Sequence, residues 1–66
     1  MKKHPEGMTV DEAMTALVDA PSEEAATDLA WMLPMSTLRG LADLLYLDTE
    51  GERKALVGRV VPEARA

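Results

Sequence analysis

Residues 36–61, STLRGLADLLYLDTEGERKALVGRVV, decide the fold. The first part of this stretch carries apolar residues at helical spacing, namely Leu38, Leu41, Ala42 and Leu45. A polar loop containing Gly51 follows. The last part repeats the helical spacing with Leu56, Val57, Val60 and Val61. The stretch therefore predicts two amphipathic helices joined by a loop.

Two further helices are predicted before this stretch. The first has an apolar face of Val10, Ala13, Met14, Leu17 and Val18, and the second has one of Ala25, Ala26, Leu29, Met32 and Leu33. Trp31 lies about 200° around the helix from Leu29, at roughly 100° per residue, so we expect it to point away from the buried face. For Tyr46, which follows the third helical pattern, a core position is favoured.

Start and stop signals separate the four helices. Thr9 with Glu12 and Thr49 with Glu52 have the spacing of a capping box. Serine is a good N-cap, so Ser22 and Ser36 are expected to begin the second and third helices. A residue before proline avoids helical geometry, so the helices should end at Pro21, Pro34 and Pro62. The prediction is an all-α fold of four short helices, with a flexible lead at residues 1–8, one helical domain at 9–62 and a tail at 63–66.

The last two helices resemble the SAP motif, a helix–extended-loop–helix module of DNA- and chromatin-associated proteins. Its apolar positions, loop glycine and basic positions correspond here to Leu38, Leu47, Gly51, Arg53, Leu56, Val57, Arg59 and Val60. The resemblance covers residues 36–61 and implies a SAP-like hairpin that contacts DNA. Two features differ from the family: Tyr46 stands where glycine is usual, and the loop is acidic.

The chain carries a formal net charge of −5, and the acidic excess lies in residues 1–35. That half has seven acidic residues against Lys2 and Lys3, whereas residues 36–66 are balanced. An acidic protein is repelled by phosphate backbones, which argues against strong non-specific binding to nucleic acid.

The composition argues against an enzyme. There is no cysteine, the single His4 lies in the predicted lead, and the available serines occupy cap positions. We therefore expect no catalytic site, no cofactor, no metal and no small-molecule substrate. No apolar stretch is long enough to cross a membrane and the start does not resemble a signal peptide, so we expect a cytoplasmic protein without a membrane partner.

Two functional hypotheses follow, both non-enzymatic. The first is a SAP-like, DNA-associated or regulatory module with candidate nucleic-acid contacts at Arg39, Arg53, Lys54 and Arg59. The second is an acidic, phage-like adaptor or inhibitor that binds a protein through Trp31, Met32, Met35, Glu23, Glu24 and Asp28. A homodimer is a third possibility, because small single chains are often stabilised by association.

Overall fold

The computed structural model describes residues 4–66, so the first three residues of the predicted lead lie outside the described part. Four α-helices follow one another: α1 (Val10–Asp19), α2 (Glu23–Met32), α3 (Met35–Leu44) and α4 (Arg53–Ala64). A single 3-10 turn at Pro5–Gly7 precedes them. No strand occurs in the described residues, and the predicted all-α fold of four short helices is confirmed. None of these helices is both long and apolar enough to cross a membrane.

The core lies where α4 packs against α2 and α3, with α1 across α2 and α3. The predicted apolar face of α4 is buried in full, as is most of that of α3. These two helices supply Leu38, Leu41, Ala42, Leu56, Val57, Val60 and Val61. Residues 36–61 therefore provide more than half of the buried apolar side chains, as the dense pattern in this stretch predicts.

The predicted faces of α1 and α2 are only partly buried. Val18 is 51% exposed and Met32 is 59% exposed, although both were assigned to apolar faces. Ala30, which was not assigned, is fully buried. The buried side of α2 is narrower than the pattern suggests, since the small side chains of Ala26 and Ala30 lie at its centre and allow a close neighbour.

The predicted caps of α1 and α2 are confirmed. The Glu12 amide donates to Thr9 Oγ1 at 3.1 Å, and the Thr9 amide donates to Glu12 Oε1 at 2.9 Å, which completes a capping box. Ser22 Oγ accepts a hydrogen bond from the Ala25 amide at 3.1 Å. These side chains satisfy amides that have no partner within the first helical turn.

The predicted caps of α3 and α4 are wrong. Pro34 is the N-cap of α3, so Ser36 lies inside the first turn. Glu52 is the N-cap of α4, and Thr49 is separated from the helix by Gly51, whose φ of 115° turns the chain. A capping box needs helical backbone directly after its first residue, and this left-handed glycine prevents it.

The end of α3 is a Schellman motif with an unusual residue. The Leu47 amide donates to the Ala42 carbonyl at 2.7 Å, and the Tyr46 amide donates to the Asp43 carbonyl at 3.1 Å. Tyr46 occupies the left-handed position with φ 60°, where glycine is the usual residue. Its side chain is 97% exposed, so the predicted core position is wrong. The motif reverses the chain and therefore aims this side chain outward.

Pro62 does not end α4, contrary to the prediction. The helix continues to Ala64, so Glu63 and Ala64, which were assigned to the tail, are helical. Proline cannot donate to the carbonyl four residues earlier, which here belongs to the exposed Gly58. The Arg65 amide donates to the Val61 carbonyl at 3.2 Å, and the Arg65 side chain is anchored on α1. Tertiary contacts thus hold the last turn despite the proline.

Gly40 lies where α3 packs closely on Val10 of α1. A Cβ placed on this residue would lie 2.6 Å from Val10 Cγ2. Because that distance is far below van der Waals contact, any larger residue here would force Val10 or one of the two helices to move. Gly40 therefore belongs to the packing of α1 on α3.

Candidate binding surfaces

Arg53 faces the protein and caps the end of α2. Its Nη1 donates to the carbonyl of Trp31 at 3.1 Å and to the carbonyl of Leu33. These carbonyls lie at the carboxyl end of a helix, where the partial charge is negative and intrahelical donors are missing. Arg53 was a candidate phosphate contact, and the structure places it in the interface between α2 and α4.

Arg59 braces the loop between α3 and α4. Its Nη1 donates to the Asp48 carbonyl at 3.1 Å and to the Glu50 carbonyl at 2.6 Å. Its Nη2 lies 4.0 Å from the Asp48 carboxylate, which itself accepts from the Glu50 amide at 2.9 Å. The guanidinium therefore holds the acidic loop in place, and its charge is partly neutralised there.

Arg65 is a third structural arginine, which the sequence reasoning missed. Its Nη1 donates to the carbonyls of Leu17 at 2.8 Å and Ala20 at 2.9 Å, and more distantly to that of Val18 at 3.4 Å. It caps the end of α1 as Arg53 caps the end of α2. The available signal was the lack of a glycine after α1, which leaves carbonyls that need another donor.

The remaining two candidate cations face solvent. Arg39 on α3 and Lys54 on α4 are exposed and have no hydrogen-bond or ion-pair partner within residues 4–66. The predicted set of four cations is therefore divided into two that bind the chain's own carbonyls and two that do not.

A tryptophan edge stands at the carboxyl end of α2. We use this name for the side chains of Trp31 and Met32, which are 45% and 59% exposed. The exposure of Trp31 agrees with its predicted position off the buried face. Met35, the third apolar candidate, begins α3 and is partly buried against the core. The tryptophan edge therefore contains two of the three apolar residues predicted for the protein-binding surface.

An acidic face leads along α2 to this edge. Glu24 and Asp28 lie one turn apart and Trp31 follows at helical spacing, so the three share one side of the helix. Glu23 lies beside them in the first turn of α2. The three carboxylates are exposed and have no ion-pair partner in the described part of the chain. The structure thus brings together the acidic and aromatic candidates of the protein-binding hypothesis.

An apolar groove lies beside the edge, between the 3-10 turn, α1 and α2. Its volume is about 480 Å³. The side chains that line it include Pro5, Met8, Pro21, Leu29, Met32 and Asp19. No sequence signal predicted this α1–α2 groove, because its walls come from three separate segments. Met32 belongs to both the groove and the tryptophan edge.

The described residues contain no cluster of three or more His, Cys, Asp or Glu side chains that could hold a metal ion. No protein-family model matches the chain, and comparisons with curated proteins and with solved structures return no significant match.

Proposed function

We propose that this chain is a non-enzymatic protein-binding module, an adaptor or inhibitor that contacts its partner through the tryptophan edge. The observation that carries the proposal is the exposure of Trp31 and Met32 side by side at the end of α2. Tryptophan is enriched among the residues that dominate protein interfaces, and methionine adapts its shape to different partners. A 66-residue chain that leaves both in water gains little folding stability from them.

The backbone under the edge is held in place. Arg53 binds the carbonyls of Trp31 and Leu33, on either side of Met32. A contact residue on a fixed backbone loses less conformational freedom on binding than one on a mobile loop. The same hydrogen bonds therefore give Arg53 a structural role and prepare the edge for a partner.

The charge distribution favours a protein over DNA as the partner. Arg53 and Arg59 are engaged with carbonyls, so two exposed cations remain from the predicted four. Electrostatic affinity for DNA grows with the number of phosphates that a protein neutralises, and two contacts supply little of it. The acidic face beside the edge adds repulsion.

The SAP resemblance supports the helical plan of α3, loop and α4. The left-handed backbone of Tyr46 lies at the position where that family has glycine, and Gly51 lies at the family's loop glycine. A DNA-associated role is retained as the second candidate, since Arg39 and Lys54 are exposed. Of the four cations predicted for that role, these two are the ones that bind no carbonyl of the described residues.

A capture experiment tests the first candidate. The tagged chain is immobilised and exposed to a lysate of its source cells, beside the variants Trp31→Ala and Tyr46→Ala. We expect one dominant protein to be recovered by the parent and by Tyr46→Ala, and to be lost with Trp31→Ala. The tyrosine variant is the matched control, because it removes an exposed aromatic side chain outside the edge. Undiminished recovery by Trp31→Ala would show that the edge is not the contact.

A duplex-binding measurement tests the second candidate. A labelled DNA duplex is titrated with the chain at low salt, where phosphate contacts are strongest. We expect no binding to the duplex at chain concentrations that saturate the partner protein recovered in the capture experiment. Salt-sensitive binding that disappears in an Arg39→Ala, Lys54→Ala double variant would instead favour the DNA-associated role.

A dilution series with light scattering tests self-association. If the tryptophan edge binds a different protein, the mass should be that of one chain throughout the series. A mass of two chains that falls to one in Trp31→Ala would assign the edge to a homodimer.

A further inference from the structure

The α1–α2 groove continues from the tryptophan edge. Met32 contributes to both, so a partner that covers Trp31 and Met32 also reaches the mouth of the groove. The groove is then part of the contact surface, and its chemistry restricts the kind of segment that can enter it. This step rests on the protein-binding function proposed above.

The walls of the groove suit apolar side chains. Its lining is alkyl, thioether and proline ring, and Asp19 is the one charged side chain that the described residues contribute. Small-molecule pockets of roughly 300–1,000 Å³ combine an apolar lining with a few precisely placed polar groups, whereas the lining here includes a single charged group. The methionines at positions 8 and 32 can adjust to side chains of different shape.

The two helices that line the groove, with the turn between them, carry acidic and no basic side chains. Residues 10–32, which form α1, α2 and their turn, contain six acidic residues and no lysine or arginine: Asp11, Glu12, Asp19, Glu23, Glu24 and Asp28. All six are exposed. A second copy of the chain would bring two such surfaces together and be repelled, whereas a cationic segment would be attracted.

We propose that the α1–α2 groove binds the apolar side chains of a cationic amphipathic segment of the partner protein. The apolar residues of that segment enter between Met8, Leu29 and Met32. Its lysines or arginines lie over Asp19 and the acidic face of α2. The acidic residues of α1 and α2 then favour a partner segment of positive charge. The groove favours a segment whose apolar side chains have the spacing that fits it.

Methionine methyl NMR tests this assignment with the whole chain. The probes are two synthetic peptides of equal length with leucines at helical spacing, one with lysine and the other with glutamate at all polar positions. We expect the lysine peptide to shift the methyl signals of Met8 and Met32 saturably. Met14 and Met35 pack against the core outside the groove and serve as internal controls. The glutamate peptide should shift none of the four signals.

A groove-filling variant provides the second arm. Ala25 lines the groove, and Ala25→Leu places a larger side chain there without removing a charge. The added leucine should exclude one apolar side chain of the bound peptide from the groove. We therefore expect the Kd of the lysine peptide to rise about tenfold. Thr15→Leu adds the same side chain at an exposed position of α1 outside the groove, and we expect it to leave the Kd unchanged.

The outcomes separate this inference from the proposed function. Equal affinity for the two peptides would show that the acidic surroundings do not select a cationic partner. Unchanged affinity in Ala25→Leu, or shifts at Met14 and Met35 equal to those at Met8 and Met32, would show that the groove is not the site. Either result overturns the inference, while loss of partner capture in Trp31→Ala would still uphold the tryptophan edge.

Discussion

Residues 10–32 carry six acidic residues and no cation, whereas α4 carries Arg53, Lys54 and Arg59 within seven residues. All six acidic residues of the α1–α2 hairpin are exposed to solvent. Two of the three α4 cations are instead turned toward the chain's own carbonyls. The role of a charged cluster therefore depends on what each side chain contacts. Here the acidic side chains of α1 and α2 are exposed, with Glu12 also capping α1, whereas two of the basic side chains of α4 hold the fold together.

The ends of α1 and α2 explain why arginines are needed. Both helices stop just before a proline, at Pro21 and Pro34, and neither has a glycine cap. Their last carbonyls lack intrahelical donors and carry the negative end of the helix dipole. A guanidinium has several donors and a fixed positive charge, so one arginine can satisfy more than one carbonyl. Arg53 and Arg65 supply this to the two helices.

Arg65→Ala should cause the largest loss of stability. It removes the donor to carbonyls of Leu17 and Ala20 at the end of α1, and hydrogen bonds to a charged group contribute roughly 1.5–3 kcal/mol each. We expect the free energy of unfolding to fall by about 2–3 kcal/mol, measured by urea denaturation followed by circular dichroism. Arg39→Ala is the matched control, since Arg39 is exposed without a partner in residues 4–66. Equal effects of the two variants would contradict a structural role for Arg65.

Gly40→Ala should destabilise the fold less than Arg65→Ala, and it acts where α1 meets α3. The added Cβ would lie 2.6 Å from Val10 Cγ2, and valine has little rotamer freedom with which to move away. We expect thermal unfolding to show a net loss of about 1–2 kcal/mol, less than the clash alone because alanine favours helix.

The matched control for Gly40→Ala is Gly58→Ala on the open side of α4. A Cβ at position 58 meets nothing within 4 Å. This variant should gain about 0.5–1 kcal/mol, since glycine is a poor residue inside a helix. A gain in both variants would show that α1 and α3 can separate without cost.

Tyr46→Gly should have a smaller effect than Arg65→Ala, and a stabilising one. The residue adopts φ 60° at the end of α3, and its side chain is 97% exposed, so little packing is lost. Glycine at this position should raise the free energy of unfolding by about 1 kcal/mol. Unchanged or lower stability would mean that the tyrosine side chain stabilises the loop between α3 and α4.

The sequence predicted the fold better than the sites. Apolar spacing identified four helices and the buried face of α4, because burial of that face depends on local periodicity. It did not identify the Schellman motif, because Tyr46 stands where a glycine would mark it. It also missed the continuation past Pro62, where the Arg65 side chain contacts the distant end of α1.

For the candidate sites, the residue types did not predict whether a side chain points into the protein or into solvent. Arg53 and Lys54 are neighbours of the same charge, yet one is directed at the end of α2 and the other at solvent. The acidic face and Trp31 could be predicted from helical spacing, whereas the groove required the packing of three segments.

The central claim is that the arginines of α4 stabilise the fold, whereas the acidic residues of α1 and α2 are exposed. Urea denaturation of Arg53→Ala beside Lys54→Ala tests this claim most directly. The two residues are adjacent at the start of α4, and only Arg53 binds carbonyls of α2. We predict that Arg53→Ala lowers the free energy of unfolding by about 2 kcal/mol, and that Lys54→Ala changes it by less than about 0.5 kcal/mol. A loss of the same small size in both variants would contradict the structural role of the α4 arginines and return Arg53 to the set of candidate ligand contacts.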